Sequence, residues 1–291
     1  MRWGAIDIGT NSCRLLIAEV NANNELTPLY ADMETTRIGE GLNQSASLKE
    51  EAIVRTIICL IGFRKRLQEF HVKDYRVIAT SAVRDASNRL EFTARVLKES
   101  GLAVEVISGA TEARLSYAGV MRGLELIEAP LVVDLGGGST EFICPEETVL
   151  LSVPLGAVRA AEGDIYAADI MEVLRPVVAL KAQLSRHPLV MVGGAASTLV
   201  AVKKGLITYS PELVHGECLS RSEIADLYDL LDSLPLELRR RLPGLQPERA
   251  DIITKGALII LVIMEVLGKM EIVVSESDIL QGLIWSLVGT D

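Results

Sequence analysis

The sequence predicts an α/β protein built from two related domains, and three observations carry that expectation. Short apolar runs alternate with amphipathic stretches, the pattern of strands interleaved with helices. The 291 residues are enough for two domains of ~100–200 residues each. One loop motif occurs twice: Ile6-Asp7-Ile8-Gly9-Thr10-Asn11-Ser12 is echoed by Val133-Asp134-Leu135-Gly136-Gly137-Gly138-Ser139. Aspartate falls on aspartate 127 residues apart, Gly9 on Gly136 and Ser12 on Ser139. An apolar strand pattern follows each copy, so each domain is expected to open with a hairpin. The separation far exceeds the ~20–50-residue periods of solenoids. The domains are drawn at 1–125 and 126–291, with a C-terminal helix at about 276–291 as a candidate to return to the first.

Taken in order, Ala5–Ile8, Leu15–Val20 and Leu29–Arg37 read as strands. Leu48–Phe70 reads as a long helix, because Ile53, Ile57, Leu60 and Ile61 share one face. Ser47 and Glu50 have the spacing of a capping box at its start. Tyr75–Thr80 and Ala103–Ile107 are strands flanking a helix at Arg89–Ser100, and Thr111–Leu124 is a further helix. In the second half, Leu131–Leu135, Glu141–Cys144 and Val149–Val153 form a strand meander. Ala168–Leu184 is helical, kinked or restarted at Pro176. Leu189–Val192 is a strand running into a glycine turn. Ser220 and Glu223 box the start of a helix carrying Ile224, Leu227, Tyr228 and Leu231. Pro243–Pro247 breaks the chain before a helix at Glu248–Leu267, and Ile272–Val274 and Ile279–Val288 are the last strand and helix.

Composition excludes several classes. A hydrophobic fraction of 49% excludes intrinsic disorder. A net charge of −10 argues against nucleic-acid partners, whose phosphates call for clustered Lys and Arg. The most apolar stretch, Ala257–Met264, is far short of the ~20 residues that cross a bilayer, so it reads as a buried helix and no membrane partner is expected. The first residues run straight into a core strand, so no signal peptide is expected and the cytoplasm is the expected compartment. Cys13, Cys59, Cys144 and Cys218 are scattered without a CxxC and read as free buried thiols. His71, His187 and His215 lack metal-ligand spacing, and His215-Gly216 reads as a turn. Arg239-Arg240-Arg241 and Lys203-Lys204 read as solvated charge, with guidance of a polyanion as the alternative, and Trp3 and Trp285 as packing.

The repeated loops carry the chemistry. Glycine allows a tight turn and close backbone approach. Successive backbone N–H groups then form a concave anion-binding nest, and Ser and Thr hydroxyls add donors at its rim. An aspartate at the strand end cannot serve a phosphate directly, because like charges repel. It makes sense holding a divalent cation between itself and the phosphate. A third loop, Met191-Val192-Gly193-Gly194-Ala195-Ala196-Ser197-Thr198, lies between a strand and a helix and aims a helix N-terminus at an anion.

These residues resemble a known family. Asp7-Ile8-Gly9-Thr10-Asn11-Ser12-Cys13-Arg14-Leu15-Leu16-Ile17 is similar to the opening signature of the exopolyphosphatase and guanosine-pentaphosphate phosphatase (Ppx/GppA) family. The resemblance continues through Ala79–Ala86, Ile107–Leu115, Asp134–Glu141, Pro154–Arg159, Gly193-Gly194 and Arg249–Ile253. It implies the actin-like ATPase superfold shared with sugar kinases and Hsp70: two RNase-H-like domains with a cleft between them. The length matches the short, two-domain form.

The resemblance further implies hydrolysis of a terminal phosphoryl group from a phosphoanhydride, with magnesium, or manganese in its place. The substrate it implies is polyphosphate or guanosine pentaphosphate. Glu112 matches the family's catalytic glutamate and is assigned water activation. Arg84 matches its loop arginine, suited to binding a phosphate. Asp134 and Glu141 correspond to metal-associated carboxylates, with Asp7 the matching acid of the first domain. Asn11, Ser12, Gly137, Gly138, Ser139 and Thr140 would wrap the terminal phosphate, and Gly193, Gly194 and Ser197 the next part of the chain. Arg14 is read as anchoring the first hairpin and Arg159 as structural. Where many relatives carry a charged tripeptide such as Arg-Glu-Gly, this chain has Leu280-Gln281-Gly282. Resemblance to dimeric relatives implies a homodimer. The competing readings are a nucleotide-dependent kinase or ATPase of the same superfold and a non-catalytic alarmone-binding sensor.

Overall fold

The computed structural model describes residues 1–145 and 149–289. The chain divides into two compact units, Met1–Gly119 together with the segment from Ile279, and Val120–Asp278. The first part of the chain forms β1 (Arg2–Ile8), β2 (Cys13–Val20), β3 (Leu26–Glu34), α1 (Leu42–Ser45), α2 (Glu50–Glu69), β4 (Asp74–Ala79), α3 (Ser81–Asp85), α4 (Arg89–Ser100), β5 (Glu105–Val106) and α5 (Gly109–Gly123). Then come β6 (Leu131–Leu135), β7 (Thr140–Ile143), β8 (Leu150–Val153), α6 (Ala157–Glu162), α7 (Ala167–Val173), α8 (Arg175–Ala179), α9 (Lys181–Leu184), β9 (Leu189–Val192) and α10 (Gly194–Lys204). The last elements are β10 (Cys218–Ser220), α11 (Arg221–Ser233), α12 (Leu236–Arg239), α13 (Ile253–Leu267), β11 (Glu271–Val274) and α14 (Ile279–Val288).

Among the described residues, the first unit's sheet has the order β3-β2-β1-β4-β5 and the second's the order β10-β11-β9-β6-β7-β8. Read from its meander edge, the second begins β8-β7-β6-β9, the counterpart of β3-β2-β1-β4. In both, the first three strands pair antiparallel and the next joins the central strand in parallel after helical chain. This is the RNase-H-like topology twice over, the duplication of the actin-like superfold. The second sheet adds β10 as an antiparallel edge on β11.

The central strands are buried because they have neighbours on both sides and helices on their faces. Helix α2 buries Ile53, Ile57, Leu60, Phe63 and Leu67 at helical spacing. Its expected capping box does not form. Lys49 is the N-cap, which puts Glu50 at the first helical position rather than the third. Ser47 Oγ instead pairs with Ser87 Oγ at 2.6 Å, and the Leu48 N–H donates to Asn88 Oδ1 at 2.9 Å. Strand β3 lies three residues earlier than expected at both ends, since beyond Glu34 the chain turns and Arg37 takes a left-handed φ of 50°.

In the second unit the restart at Pro176 appears as the break between α7 and α8, with the proline in the first turn of α8, where a missing N–H costs nothing. The Ser220–Glu223 capping box forms in both directions. Helix α13 begins at Ile253 rather than Glu248, because Pro247–Arg249 makes a separate single turn first. It is buried nearly all round, which explains its apolar run. No helix among the described residues is long and apolar enough to cross a membrane.

Helix α14 belongs to the first unit. Leu283, Ile284 and Trp285 pack against Ala5, Leu16 and Ile78 of its sheet. Gly282 faces α5 closely enough that a Cβ would lie 1.9 Å from the Leu115 carbonyl oxygen. Two further expectations change. Cys218 is exposed, while Cys13, Cys59 and Cys144 are buried free thiols. Arg239 is a structural staple rather than a solvated charge, donating to the carbonyls of Leu231, Leu234 and Ala250.

Candidate active site

Each motif loop closes an antiparallel hairpin. The first closes between Ile8 and Cys13 and the second between Leu135 and Thr140. The same hydrogen bond pins both turns: Gly9 N–H to the Ser12 carbonyl and Gly136 N–H to the Ser139 carbonyl, each at 3.0 Å.

Other carbonyls of the loops are also engaged. In the first unit the chain after β3 clamps them: Gly39 N–H donates to Thr10 O at 3.0 Å and Arg37 N–H to Asn11 O at 2.8 Å. In the second unit the chain after β8 does the same. Ala157 N–H donates to Gly136 O at 3.0 Å, Val158 and Arg159 N–H to Gly137 O at 2.9 and 3.0 Å, and Arg159 Nε to Gly138 O at 2.8 Å. A trans peptide points its N–H opposite to its C=O. Clamping the carbonyls therefore directs the N–H groups of Asn11 and Ser12, and of Gly137, Gly138 and Ser139, away from the clamp. Successive N–H groups directed together form an anion-binding nest. Arg159 is thus structural in a specific sense, because it braces the glycine turn. Gly156 packs backbone to backbone on that turn: a Cβ there would lie 2.3 Å from the Gly137 carbonyl carbon. Thr140 is fully buried, and its hydroxyl donates to the Leu155 carbonyl at 2.5 Å.

The third loop opens α10. Gly193 has a φ of 102° and packs on the end of β6, where a Cβ would meet the Leu135 carbonyl oxygen at 2.4 Å. Over Gly194 lies the guanidinium of Arg249, 1.9 Å from where a Cβ would be. Ser197 Oγ donates to the carboxylate of Glu276. His215 supports the same corner, with Nε2 bonded to the Gly123 carbonyl at 2.9 Å and Nδ1 accepting from Glu276 N–H at 3.0 Å. Arg249 and Glu276 had no role in the sequence reading. Arg249 stood within a matched motif, but nothing in the sequence placed it over Gly194.

Glu112 and Arg84 meet. Arg84 Nη1 donates to Glu112 Oε2 at 2.8 Å and to the Ile107 carbonyl at 3.2 Å. Helix α3 carries the arginine in its last turn and α5 the glutamate in its first. Glu112 is 8% exposed. Asp85 Oδ1 lies farther off, 4.0 Å from Arg84 Nε.

Asp134 and Glu141 are direct cross-strand partners, so their side chains share one face of the sheet. Ser152 continues the row on β8 and donates to Glu141 Oε1 at 2.7 Å. Sequence reading missed Ser152 because only strand register places it there. Asp7 is met by Arg14, whose Nε and Nη2 reach Oδ2 at 3.1 and 2.7 Å, so Arg14 does anchor the hairpin. Among the described residues no group of three or more His, Cys, Asp and Glu side chains is gathered as a metal cage. Magnesium asks for less. One or two carboxylates suffice when water and substrate phosphate supply the remaining oxygens. The Asp134–Glu141 pair fits that requirement.

Three relatives give this arrangement its context. A bifunctional 3-dehydroquinate synthase/phosphatase of Fusobacterium nucleatum is 35% identical over 96% of this chain, which spans 46% of that protein. Exopolyphosphatase 2 of Mycobacterium tuberculosis is 36% identical over 99% of both proteins. The crystal structure of an exopolyphosphatase from Cytophaga hutchinsonii superposes with a TM-score of 0.90 at 28% identity, covering 100% of this chain and 99% of the other. The model of the Ppx/GppA phosphatase family matches residues 16–291, and the chain belongs to that family.

Proposed function

We propose that the protein is a magnesium-dependent hydrolase that releases terminal phosphate from inorganic polyphosphate, guanosine pentaphosphate or both. The observation that carries this reading is the twice-built glycine turn, whose carbonyls are clamped so that its N–H groups are directed outward. Each such nest suits a phosphate group. The reading also rests on membership of the phosphatase family.

Hydrolysis needs a water in line with the scissile bond, a group that takes its proton, and positive charge for the equatorial oxygens. Glu112 orients the water and accepts its proton as the oxygen bonds to the terminal phosphorus. The bridging P–O bond then breaks, and the shortened chain leaves with the bond's electron pair. Arg84, which holds the Glu112 carboxylate at 2.8 Å, has the geometry to offer its other nitrogens to the transferring group. The N–H groups of Gly137, Gly138 and Ser139 bind phosphate oxygens, as do those of Asn11 and Ser12, and the loop of Gly193, Gly194 and Ser197 receives the following phosphates. Asp134 and Glu141 would hold the magnesium, which supplies charge neutralisation on the phosphate oxygens. The same reading has the protein work in the cytoplasm as a homodimer, which light scattering of the purified protein checks.

The test is a phosphate-release assay with magnesium on long polyphosphate, guanosine pentaphosphate and ATP. Release from either of the first two without added ATP is expected, and hydrolysis of ATP alone would overturn the reading. Glu112→Gln, with unchanged circular dichroism, should lower kcat by about 10²–10⁴-fold. Turnover at the wild-type rate would remove Glu112 from the mechanism.

A further inference from the structure

The corner built around the third loop holds a carboxylate of the chain's own. Backbone contacts carry Glu276 into it. Ser275 N–H donates to the Met191 carbonyl at 3.0 Å, in the strand that opens the loop, and Glu276 N–H donates to His215 Nδ1 at 3.0 Å. Ser275 Oγ secures the turn, donating to the Ser277 carbonyl at 2.7 Å. The half-buried Glu276 carboxylate then accepts the hydroxyl of Ser197, in the first turn of α10. Tyr209, from the chain between α10 and β10, also bonds this carboxylate through its hydroxyl. Burial, then the negative charge of Glu276 and the bond to it, hold the Tyr209 phenol above its ordinary 10.0, so it stays a donor.

These contacts decide what the corner accepts. A serine hydroxyl has one proton to donate, and that of Ser197 goes to Glu276. A helix start favours an anion, and Glu276 is an anion already bonded there. The Arg249 guanidinium lies over Gly194, and its charge acts on Tyr209 in opposition to that of Glu276. A phosphate drawn to Arg249 or to the start of α10 therefore approaches a carboxylate, and like charges at close range repel. A carboxylate offers acceptors only. A polyphosphate chain also offers acceptors, whereas the hydroxyl and N–H groups of a nucleoside donate.

Building on the hydrolase reading above, we propose that Glu276 is a specificity-determining residue, an internal anion that disfavours long polyphosphate and favours a short phosphate chain ending in a nucleoside. The third loop adjoins the Gly136–Ser139 turn, because Gly193 packs on Leu135 at the end of β6. Phosphates that run from the turn into the loop must displace Glu276 from Ser197. A nucleoside arriving there meets an acceptor already in place. Discrimination then comes from a repulsive element as well as an attractive one.

The test uses the full chain. Binding of long polyphosphate without magnesium is read by calorimetry, and phosphate release from long polyphosphate and guanosine pentaphosphate is followed with magnesium. Glu276→Gln keeps the size and a carbonyl for Ser197 but removes the charge. It should tighten polyphosphate binding at least fivefold and raise kcat/KM for polyphosphate over guanosine pentaphosphate by a similar factor. Glu276→Asp, which keeps the charge, should show no such gain. Loss of a purely structural contact would weaken binding, so the direction of the change separates the two roles. If the glutamine variant does not fold, Tyr209→Phe decides. It frees the carboxylate to move aside and should tighten polyphosphate binding at least twofold. Unchanged or weaker binding in the variants, an equal gain for both substrates, or no polyphosphate binding by wild type and variants alike would overturn the inference. Phosphate release by the wild type alongside any of these results leaves the hydrolase reading intact. Tighter binding with no phosphate release from either substrate would support the role of Glu276 and overturn the hydrolase reading instead.

Discussion

Gly156 marks how closely single atoms control the nest. Its missing Cβ lets the start of α6 lie against Gly137 and Gly138, with contact at 2.3 Å were a methyl present. Backbone cannot yield as a flexible side chain can. Gly156→Ala is expected to push the turn out of place, lowering kcat/KM at least tenfold and lowering Tm, measured by phosphate release and thermal melting. The sequence made Gly137 and Gly138 visible as a glycine run. It gave no sign that Arg159 braces them, that Arg249 covers Gly194 or that Ser152 reaches Glu141, because those contacts join positions far apart in the chain. Cysteine exposure has the same origin. One thiol, Cys218, should react with a soluble disulfide reagent in the native protein and four after unfolding. Burial pushes the Cys144 thiol up to about 11, which further slows its reaction.

At the scale of elements, local signals proved readable where the chain itself supplied the partner. Ser220 and Glu223 cap α11 because both halves of the box lie within four residues. Ser47 and Glu50 have the same spacing and fail, because Asn88 takes the Leu48 N–H and shifts the helix start. Hydrogen bonding to Lys203, then to the Ser220 N–H and hydroxyl, holds the Glu223 carboxyl down to about 2, against its ordinary 4.5. A depressed carboxyl stabilises the fold above its unfolded value and loses that contribution as pH falls through its folded one. The Tm advantage of wild type over Glu223→Gln should thus be complete above pH ~5 and vanish by pH ~2. Melting curves across that range check it. The Leu280-Gln281-Gly282 departure also resolves in part at this scale. Gly282 is required because α14 seats against the Leu115 carbonyl oxygen. Gly282→Ala should cost about 1–3 kcal/mol in urea unfolding, the range for overpacking a close contact.

At the scale of the molecule, the duplicated hairpin organises both units. Each meander delivers a motif turn and then folds its following segment back to clamp it. The net charge of −10 gives no hint of this, since the nests are built from backbone N–H groups rather than lysine-rich patches. By itself the sequence determined the α/β class, the doubling of the motif, the apolar cores and the family, because periodicity, glycine placement and contiguous motifs are local properties of the chain. Only the tertiary structure decided that Asp7 faces a guanidinium while Asp134 faces a carboxylate, that Arg84 holds Glu112, and that α14 completes the first unit. Those relations depend on strand register and on contacts between distant segments. Local sequence constrains neither, and packing fixes both.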